Sequence, residues 1–362
     1  MQEVSLEELR TFLNQMPLMV EMRHPLSLVF LDEEVKIYTE VWEMRADLDS
    51  PELQEPLPML ALKVEPALRY RFPSFRCPHD PLTSELNRVL LPRYDFIKEH
   101  LLRQSQIATE ILSQADAEAI LLILVDGLSY EDIKRYASSW LSYTTPVLVD
   151  GVSITTQGMR RIVGEPPLAR RLFEKGAYCP IGFTYWERSE EPLTNQIFTG
   201  FGDKTHKVRA FEDILDMLKN QDLRGTYVQI VRMGLDGASH RHRDKPQISA
   251  AVSAILADFE RMIDLYKAKG LYAHLYLTSD HGILWASEHP LQLFEENPST
   301  ESSRYYEYRK QTQFTLNIQF GGEDFAVLSY PYLRRRLRAN EWGVHGGLSF
   351  QESIVPLIKL TT

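Results

Sequence analysis

Three aspartates follow apolar runs at separate places in the sequence. Asp126 ends the run in LVDGLS, Asp236 follows RMGL, and Asp280 follows LTS. In an open α/β sheet the carboxyl ends of the strands open onto one crevice, so carboxylates at these ends are expected to converge. Converging carboxylates repel one another and are tolerated when a cation lies among them. The pattern therefore predicts a cation-binding site at one edge of a sheet.

Three histidines accompany these aspartates. His240 follows Asp236 by four residues, which places both side chains on one face of a helical turn. His281 directly follows Asp280, and His345 lies among glycines that let the backbone approach closely. Each residue alone is weak evidence, because an aspartate after a strand is most often a helix cap or a turn former. Together, nitrogen and oxygen ligands at strand ends are what two neighbouring zinc or manganese ions require.

The elements that must position these residues form an alternating pattern. From Ala119 onward, short and continuously apolar runs alternate with helical stretches, which is typical of parallel strands buried on both faces. The clearest unit has a strand to Val125, a turn at 126–127 and a helix with a capping box from Ser129 to Asp132. Four further runs are interpreted as comparable strands: TPVLVD (145–150), TYVQIVRM (226–233), LYAHLYLTS (271–279) and FAVLSY (325–330). The sequence thus predicts an α/β fold with a mostly parallel sheet.

The N-terminal part of the chain has a different pattern. Residues 26–43 alternate apolar and polar side chains around a DEE turn, which predicts a pair of strands, and residues 81–115 are typical of helices. We therefore expect an accessory module of α/β or α+β class over 1–115 and a catalytic domain over 116–362.

Composition narrows the class of protein. The 362 residues carry a net charge of −10, which excludes a general nucleic-acid coat protein. The two cysteines, Cys77 and Cys179, belong to no CxxC pair, so a disulfide framework and a thiolate zinc site are excluded and a reducing cytoplasm fits best. The longest apolar run, 119–125, is far too short to span a membrane. We expect a cytoplasmic protein without a membrane partner.

The order of these motifs resembles a known superfamily. VDG at 125–127, a threonine-rich turn, D-x-x-x-H, SDHG and a late histidine resemble the alkaline phosphatase superfamily, which includes nucleotide pyrophosphatase/phosphodiesterases and cofactor-independent phosphoglycerate mutase. The tail HGGLSFQESIVPLI (345–358) narrows the resemblance to PglZ domains, found in bacterial phage-defence (BREX) systems and in some two-component regulators. The resemblance covers residues 119–359 and implies an alkaline-phosphatase-like three-layer α/β/α sandwich.

Carried over by position, the resemblance implies a role for each of these residues. One metal site would comprise Asp126, Asp280 and His281, and a second Asp236, His240 and His345. The cofactors would be two zinc ions, with manganese as the alternative. The nucleophile would lie in the turn GVSITTQGM (151–159): Thr155 is the first choice, and Thr156 and Ser153 are the alternatives.

Phosphate charge that is not met by metal needs cationic donors. From a larger set of basic residues we predict substrate contacts by Arg160, Lys204 and Arg241. The run RRRLR at 334–338 has two interpretations, a cradle for a nucleic-acid backbone or the exposed face of a short helix.

Two classes of function follow from these observations. The first is a metal-dependent phosphodiesterase acting on nucleotides or nucleic acid, with a cyclic oligonucleotide as a further candidate substrate; a phosphomonoesterase would use the same ions. The second is a catalytically vestigial scaffold that binds other proteins of a defence complex. The complete set of expected ligands favours the enzyme.

Overall fold

The architecture comes from a computed structural model, which describes residues 87, 90–92, 94–114, 116–176, 179–185, 205–241, 246–294 and 302–362. The strand pair predicted at 26–43 lies outside the described residues. Within the stretch predicted as helical, two helices are observed, α1 (Tyr94–His100) and α2 (Gln104–Ser113).

One large sheet dominates the described residues. Its eight strands are β1 (Leu102–Arg103), β2 (Ala119–Asp126), β3 (Thr144–Leu148), β4 (Cys179–Tyr185), β5 (Thr205–Lys207), β6 (Thr226–Met233), β7 (Ala273–Ser279) and β15 (Ile354–Thr361). They lie in the order β1-β3-β15-β7-β2-β6-β4-β5. All pairings are parallel except those of β15, which runs antiparallel to both of its neighbours. The predicted α/β class with a mostly parallel sheet is confirmed.

Helices cover both faces of this sheet. The remaining helices are α3 (Tyr130–Tyr136), α4 (Thr155–Val163), α5 (Leu168–Glu174), α6 (Phe211–Lys219), α7 (Asp236–Arg241), α8 (Ile248–Ala268) and α9 (Phe350–Ser353). Alternate residues of β2 join different apolar clusters: Leu121 and Ile123 pack with α3, α6 and α8, whereas Ile120 and Leu122 pack with α2, α4 and α5. The continuously apolar sequence of β2 is explained by this burial on both faces, which makes three layers. None of the described helices combines the length and the apolar character that crossing a membrane requires.

The run FAVLSY was wrongly assigned to the parallel sheet. Its first four residues lie in β12 (Glu323–Leu328), which pairs antiparallel with β10 (Tyr305–Tyr306) and β11 (Thr315–Phe320) in a separate three-stranded sheet. Gly321 and Gly322, with φ of +60° and +86°, make the tight turn between β11 and β12. A Gly-Gly pair between two apolar runs is a hairpin signal, so the β11–β12 hairpin could have been predicted from the sequence. A 3-10 helix (Ser138–Tyr143) and four short strands complete the described secondary structure; the strands are β8 (Leu284–Trp285), β9 (Gln292–Leu293), β13 (Tyr332–Leu333) and β14 (Gly343–Val344).

Residues before position 115 contribute to the large sheet. The two residues of β1 pair in parallel with β3 at the sheet edge, and α2 packs on the face that also carries α4. Asn87 accepts a hydrogen bond from the backbone N–H of Phe350 at 2.6 Å and donates one to Gln351 at 3.1 Å. The division at residue 115 remains a prediction.

The helix that follows β2 begins with the capping box expected from the sequence. The Ser129 hydroxyl oxygen accepts a hydrogen bond from the backbone N–H of Asp132 at 2.9 Å, and the Asp132 carboxylate accepts one from the backbone N–H of Ser129 at 2.9 Å. Desolvation by burial is the largest influence on this carboxyl and raises the pKa of Asp132 to about 6, although hydrogen bonds from Ser129 and Trp285 favour its ionised form.

This raised pKa predicts a pH-dependent stability of the metal-free protein. The folded state binds the Asp132 proton more tightly than the unfolded state, so this contribution is complete below the ordinary pKa of 3.8 and is lost as the pH rises through about 6. The loss is on the order of 3 kcal/mol in the free energy of unfolding. Urea unfolding in EDTA at a series of pH values, for the wild type and Asp132→Asn, measures it. A difference between the two proteins that stays constant with pH contradicts the prediction.

Candidate metal centre

Two strand ends bring Asp126 and Asp236 side by side. Gly127 directly follows β2 with φ of +78°, and a Cβ at this position would lie 2.9 Å from the backbone nitrogen of Asp236. A Cβ at Gly234 would lie 2.2 Å from the carbonyl oxygen of Asp126. The carbonyl of Gly127 also accepts a hydrogen bond from the N–H of Leu235 at 2.9 Å. Glycine at both positions therefore permits the backbone contact that joins the two turns.

The first group of candidate ligands is Asp126, Asp280 and His281. One ligand atom from each lies within 4.8 Å of the others, and all three residues are buried. Nε2 of His281 lies 3.8 Å from Oδ1 of Asp126 and 3.5 Å from Oδ2 of Asp280. The residues come from the ends of the neighbouring strands β2 and β7, where strand-end residues were expected to converge.

The carboxylate of Asp280 shows how well this group suits a cation. Its Oδ1 accepts hydrogen bonds from the backbone N–H groups of Gly127 and His281, both at 2.9 Å. Its Oδ2 accepts none from the described residues, although the side chain is fully buried. An unpaired buried carboxylate oxygen is costly, and a bound cation relieves that cost. The residues present therefore fit a divalent metal.

The backbone carbonyls of Ser279 and Asp280 accept hydrogen bonds from Gln104, a residue distant in the sequence. The fully buried side-chain amide of Gln104 donates to the carbonyls of Ser279 and Asp280, at 2.9 and 2.7 Å. Gln104 therefore supports the site, and the sequence does not predict this role because no spacing pattern links Gln104 to the SDHG motif.

The second group of candidate ligands is Asp236, His240 and His345. Oδ1 of Asp236 lies 3.2 Å from Nε2 of His240 and 3.2 Å from Nε2 of His345. Asp236 is the first residue of the short helix α7 and His240 is its fifth, so the four-residue spacing places both side chains on one face of the helix as expected. His345 reaches the group from the loop after β14.

Backbone hydrogen bonds orient two of the imidazole rings. Nδ1 of His281 lies 3.1 Å from the carbonyl oxygen of Gly282, and Nδ1 of His345 lies 3.0 Å from that of Ser153. Because a carbonyl oxygen only accepts, each Nδ1 must carry the proton that it donates. In the neutral form of each ring, Nε2 then keeps a lone pair that is directed toward the ligand carboxylates and can bind a cation lying between them. The two rings stack with centroids 4.2 Å apart, so the two groups share a boundary.

In the metal-free protein His281 and His345, one from each ligand group, have pKa values shifted in opposite directions. Burial opposes ionisation of Asp236, but the adjacent His345 and His240 hold its pKa well below the usual range. Burial alone would also lower the pKa of His345, but the carboxylate of Asp236 raises it to about 9. For the fully buried His281, burial is the largest influence and lowers the pKa. A proton on His345 thus occupies the second group near neutral pH, and a divalent cation would replace it.

The hydroxyl of Thr155 lies beside the first group. Thr155 is the first residue of α4, and its Oγ1 donates to Oδ1 of Asp126 at 3.1 Å and lies 3.2 Å from Nε2 of His281. A Cβ at Gly158 would lie 2.3 Å from the carbonyl oxygen of Asp280, so glycine allows α4 to pack against the Asp280 turn. Of the alternatives, Ser153 donates its hydroxyl to the carbonyl of Gly347 at 3.0 Å.

The predicted substrate-binding residues are described only in part. Arg160 is exposed on α4 and lines a cavity of about 380 Å³ between this helix and the three-stranded sheet. Lys204 and the side chain of Arg241 lie outside the described residues.

The interpretation of RRRLR was wrong for its first two arginines. Residues 334–338 form no helix, and the side chains of Arg334 and Arg335 are buried. The guanidinium of Arg334 lies 3.8 Å from the ring centroid of Tyr306, and Arg335 makes two hydrogen bonds with Glu341 at 2.6 and 2.7 Å. These two side chains are bound within the fold, so they do not form an exposed nucleic-acid cradle.

The chain shows similarity to known proteins among solved structures only. No protein-family model matches it, and a search of curated proteins finds no match. Among solved structures, murine ectonucleotide pyrophosphatase/phosphodiesterase 5 is 11% identical, with 66% of this chain and 87% of that chain covered and a TM-score of 0.44. Phosphonoacetate hydrolase from Sinorhizobium meliloti 1021 is 10% identical, with 67% and 89% covered and a TM-score of 0.45. The C-terminal periplasmic domain of Escherichia coli EptC, in complex with zinc, is 13% identical, with 47% and 66% covered and a TM-score of 0.32. Likenesses this weak carry no argument about function.

Proposed function

We propose that this protein is a metal-dependent phosphoester hydrolase with Thr155 as its nucleophile. The observation that carries the proposal is the position of the Thr155 hydroxyl, 3.1 Å from Asp126 and 3.2 Å from His281; both belong to the ligand group in which one carboxylate oxygen of Asp280 has no hydrogen-bond partner among the described residues. A threonine hydroxyl is a poor nucleophile at neutral pH, and metal coordination is one of the few ways to activate it. The motif resemblance to the alkaline phosphatase superfamily supports the same activity.

Each ligand group would hold one divalent cation, zinc or manganese. Asp126, Asp280 and His281 would bind the first, and Asp236, His240 and His345 the second. When bound, such cations supply positive charge that offsets the charge on the reacting oxygens. Zinc suits these mixed nitrogen and oxygen ligands, and the absence of thiolate ligands leaves manganese as an alternative.

The reaction would proceed in two displacements at phosphorus. Asp126 orients the Thr155 hydroxyl, which loses its proton as Oγ1 bonds to phosphorus and the bond from phosphorus to the leaving alcohol oxygen breaks; that oxygen takes up one proton, so the alcohol leaves neutral. Water then attacks the same phosphorus, the bond from phosphorus to Oγ1 breaks, Oγ1 takes up a proton from the water, and the remaining phosphate monoester is released. The N-terminal end of α4, where Thr155 lies, favours the negative charge of the bound phosphate.

The cavity next to Thr155 supports a phosphodiester substrate. Ile154 and Thr156, the residues on either side of Thr155, line it together with aromatic side chains of the three-stranded sheet, Tyr305 and Phe320 among them. This space would accept an organic ester group that a simple phosphate monoester does not need. The exposed carboxylates of Glu307 and Glu323 also line the cavity and would repel a long polyanion, so nucleotides are favoured over nucleic acid.

A comparison of two chromogenic esters tests the diester preference. With zinc or manganese present, we expect bis-p-nitrophenyl phosphate to be hydrolysed faster than p-nitrophenyl phosphate at equal concentration, because only the diester places a second ring in the cavity. The same protein after EDTA treatment is the control and should hydrolyse neither ester. Faster turnover of the monoester contradicts the diester assignment and leaves the phosphomonoesterase.

We also propose a place for this activity in the cell. The resemblance of residues 345–358 to PglZ domains supports a role in bacterial phage defence with other proteins of such a system as partners. The two cysteines outside any CxxC pair support a cytoplasmic location.

A further inference from the structure

A buried ion pair lies beneath the loop that carries His345. Nε of Arg304 donates to Oε1 of Glu352 at 2.9 Å, and Nη2 donates to Oε2 at 2.6 Å. Both side chains are fully buried. Removing two charges from water costs several kcal/mol per ion, and good geometry with further hydrogen bonds is needed to offset that cost.

The further hydrogen bonds lead to the His345 loop. Oε1 of Glu352 accepts from the backbone N–H of Gly347 at 2.9 Å, and Oε2 accepts from the Ser349 hydroxyl at 2.7 Å. Gly347 is only two residues from His345. On its other side, Arg304 donates to the carbonyls of Ser329 and Tyr332. The ion pair thus joins the His345 loop to the polypeptide around the three-stranded sheet.

Two glycines, Gly346 and Gly347, let the loop that carries His345 pack closely against the ion pair and its neighbour. A Cβ at Gly347 would lie 2.4 Å from Nε of Arg304. Gly346 has φ of +101°, and a Cβ there would lie 2.6 Å from the ring of Tyr305. The backbone directly after His345 therefore lies in close contact with Arg304 and its neighbour Tyr305.

We propose that Arg304 and Glu352 are positioning residues for the second ligand group. The pair holds the Gly347 N–H, the resulting turn directs Nδ1 of His345 to the Ser153 carbonyl, and Nε2 then faces Asp236. This inference rests on the proposed metal-binding function.

The two ligand groups depend on Glu352 through different atoms. The His345 loop is held by its carboxylate, whereas the loop after His281 is held by its backbone carbonyl, which accepts from the N–H of Gly282 at 3.0 Å. A change of the Glu352 side chain should therefore weaken the second group and spare the first. A role in general stability would weaken both groups together with the fold.

Zinc titration calorimetry of EDTA-treated and dialysed protein separates these cases. Glu352→Gln is expected to weaken zinc binding at one of the two sites by about 10- to 100-fold, the range found for residues that orient metal ligands, while the other site changes less than about threefold. In an Asp280→Asn background, which disables the first group, Glu352→Gln should weaken the zinc binding that remains. Saturating zinc should restore turnover in the single variant.

Matched variants complete the test. Asp258→Asn removes the charge of a less buried ion pair, in which Nε and Nη2 of Arg232 lie 2.7 and 2.6 Å from Oδ2 of Asp258, and should leave both zinc affinities unchanged. Arg304→Lys keeps the positive charge but loses the pair of hydrogen bonds to Glu352. If Glu352→Gln fails to fold, the zinc affinities of Arg304→Lys test the inference instead. Equal weakening at both sites, or no weakening in either variant, overturns the inference. A wild type that binds no zinc refutes the proposed function instead.

Discussion

Thr155→Ala is expected to lower the turnover of bis-p-nitrophenyl phosphate by about a thousandfold or more. The alanine side chain has no oxygen that could attack phosphorus, so the two-step reaction cannot begin. All six candidate ligands remain, and the metal content should stay at the wild-type value. Steady-state kinetics together with metal analysis of the purified variant measures both quantities.

Neighbouring hydroxyls provide the controls for this variant. Thr156→Ala removes a hydroxyl one residue away that lines the cavity, and it should keep turnover within about tenfold of the wild type because no reacting atom is lost. Thr155→Ser keeps a hydroxyl and should retain measurable activity. Full activity of Thr155→Ala would move the nucleophile to Thr156 or Ser153. Ser153 is the weaker alternative, since its hydroxyl already bonds the Gly347 carbonyl.

Asp280→Asn is expected to weaken metal binding by the first group severely while leaving the metal-free fold intact. The amide oxygen keeps an acceptor for the N–H groups of Gly127 and His281, and the side-chain volume is nearly the same. The variant loses the negative charge and the unpartnered oxygen that would face the cation. We expect zinc affinity at this group to fall by about 100-fold or more and turnover to fall with it.

Thermal unfolding supplies the second half of this prediction. In EDTA the Asp280→Asn protein should melt at or above the wild-type temperature, because an uncompensated buried charge has been removed. With zinc added, only the wild type should show the full rise in melting temperature. Asp150→Asn is the matched control: Asp150 also follows a strand, but its carboxylate bonds Ser105, and its removal should leave zinc stoichiometry unchanged. Unchanged stoichiometry in Asp280→Asn would contradict the ligand assignment.

The sequence predicted those parts of the main architecture that depend on one physical cause each, such as burial of a strand on both faces or capping of a helix. The continuous apolar run of β2 follows from helices on both faces, and the Ser129–Asp132 spacing marks the start of α3. The positions of Asp126 and Asp280 follow from the convergence of parallel strand ends, which requires only that both strands belong to one sheet.

Strand β15 was not predicted, and Pro356 shows why. Proline lacks an N–H and argues against a central strand. In the structure Pro356 pairs with Pro146 of β3, and neither proline is paired with a third strand: the pairing of β15 with β7 begins at Leu357, and that of β3 with β1 at Val147. The sheet therefore needs no hydrogen bond from either nitrogen. This compensation depends on register, which the sequence alone does not reveal.

The residues that support the site escaped prediction for a related reason. Glu352 and Arg304 are 48 residues apart, and Gln104 is 176 residues from Asp280. No helical or strand period connects such positions. Charged residues are also expected on the surface, so Arg334 and Arg335 suggested an exposed patch although both are buried with partners.

The edge strand β1 has a consequence for any shortened form of this protein. A polypeptide beginning at residue 116 would lack β1, and β3 would become the outermost strand, with the backbone N–H and C=O groups on its β1 side left without a strand partner. Loss of α2 would also uncover apolar side chains such as Ile120 and Leu122, against which that helix packs. A second molecule could then pair one of its own strands with this exposed edge, next to the solvent-exposed apolar surface. Such a fragment would therefore tend to self-associate.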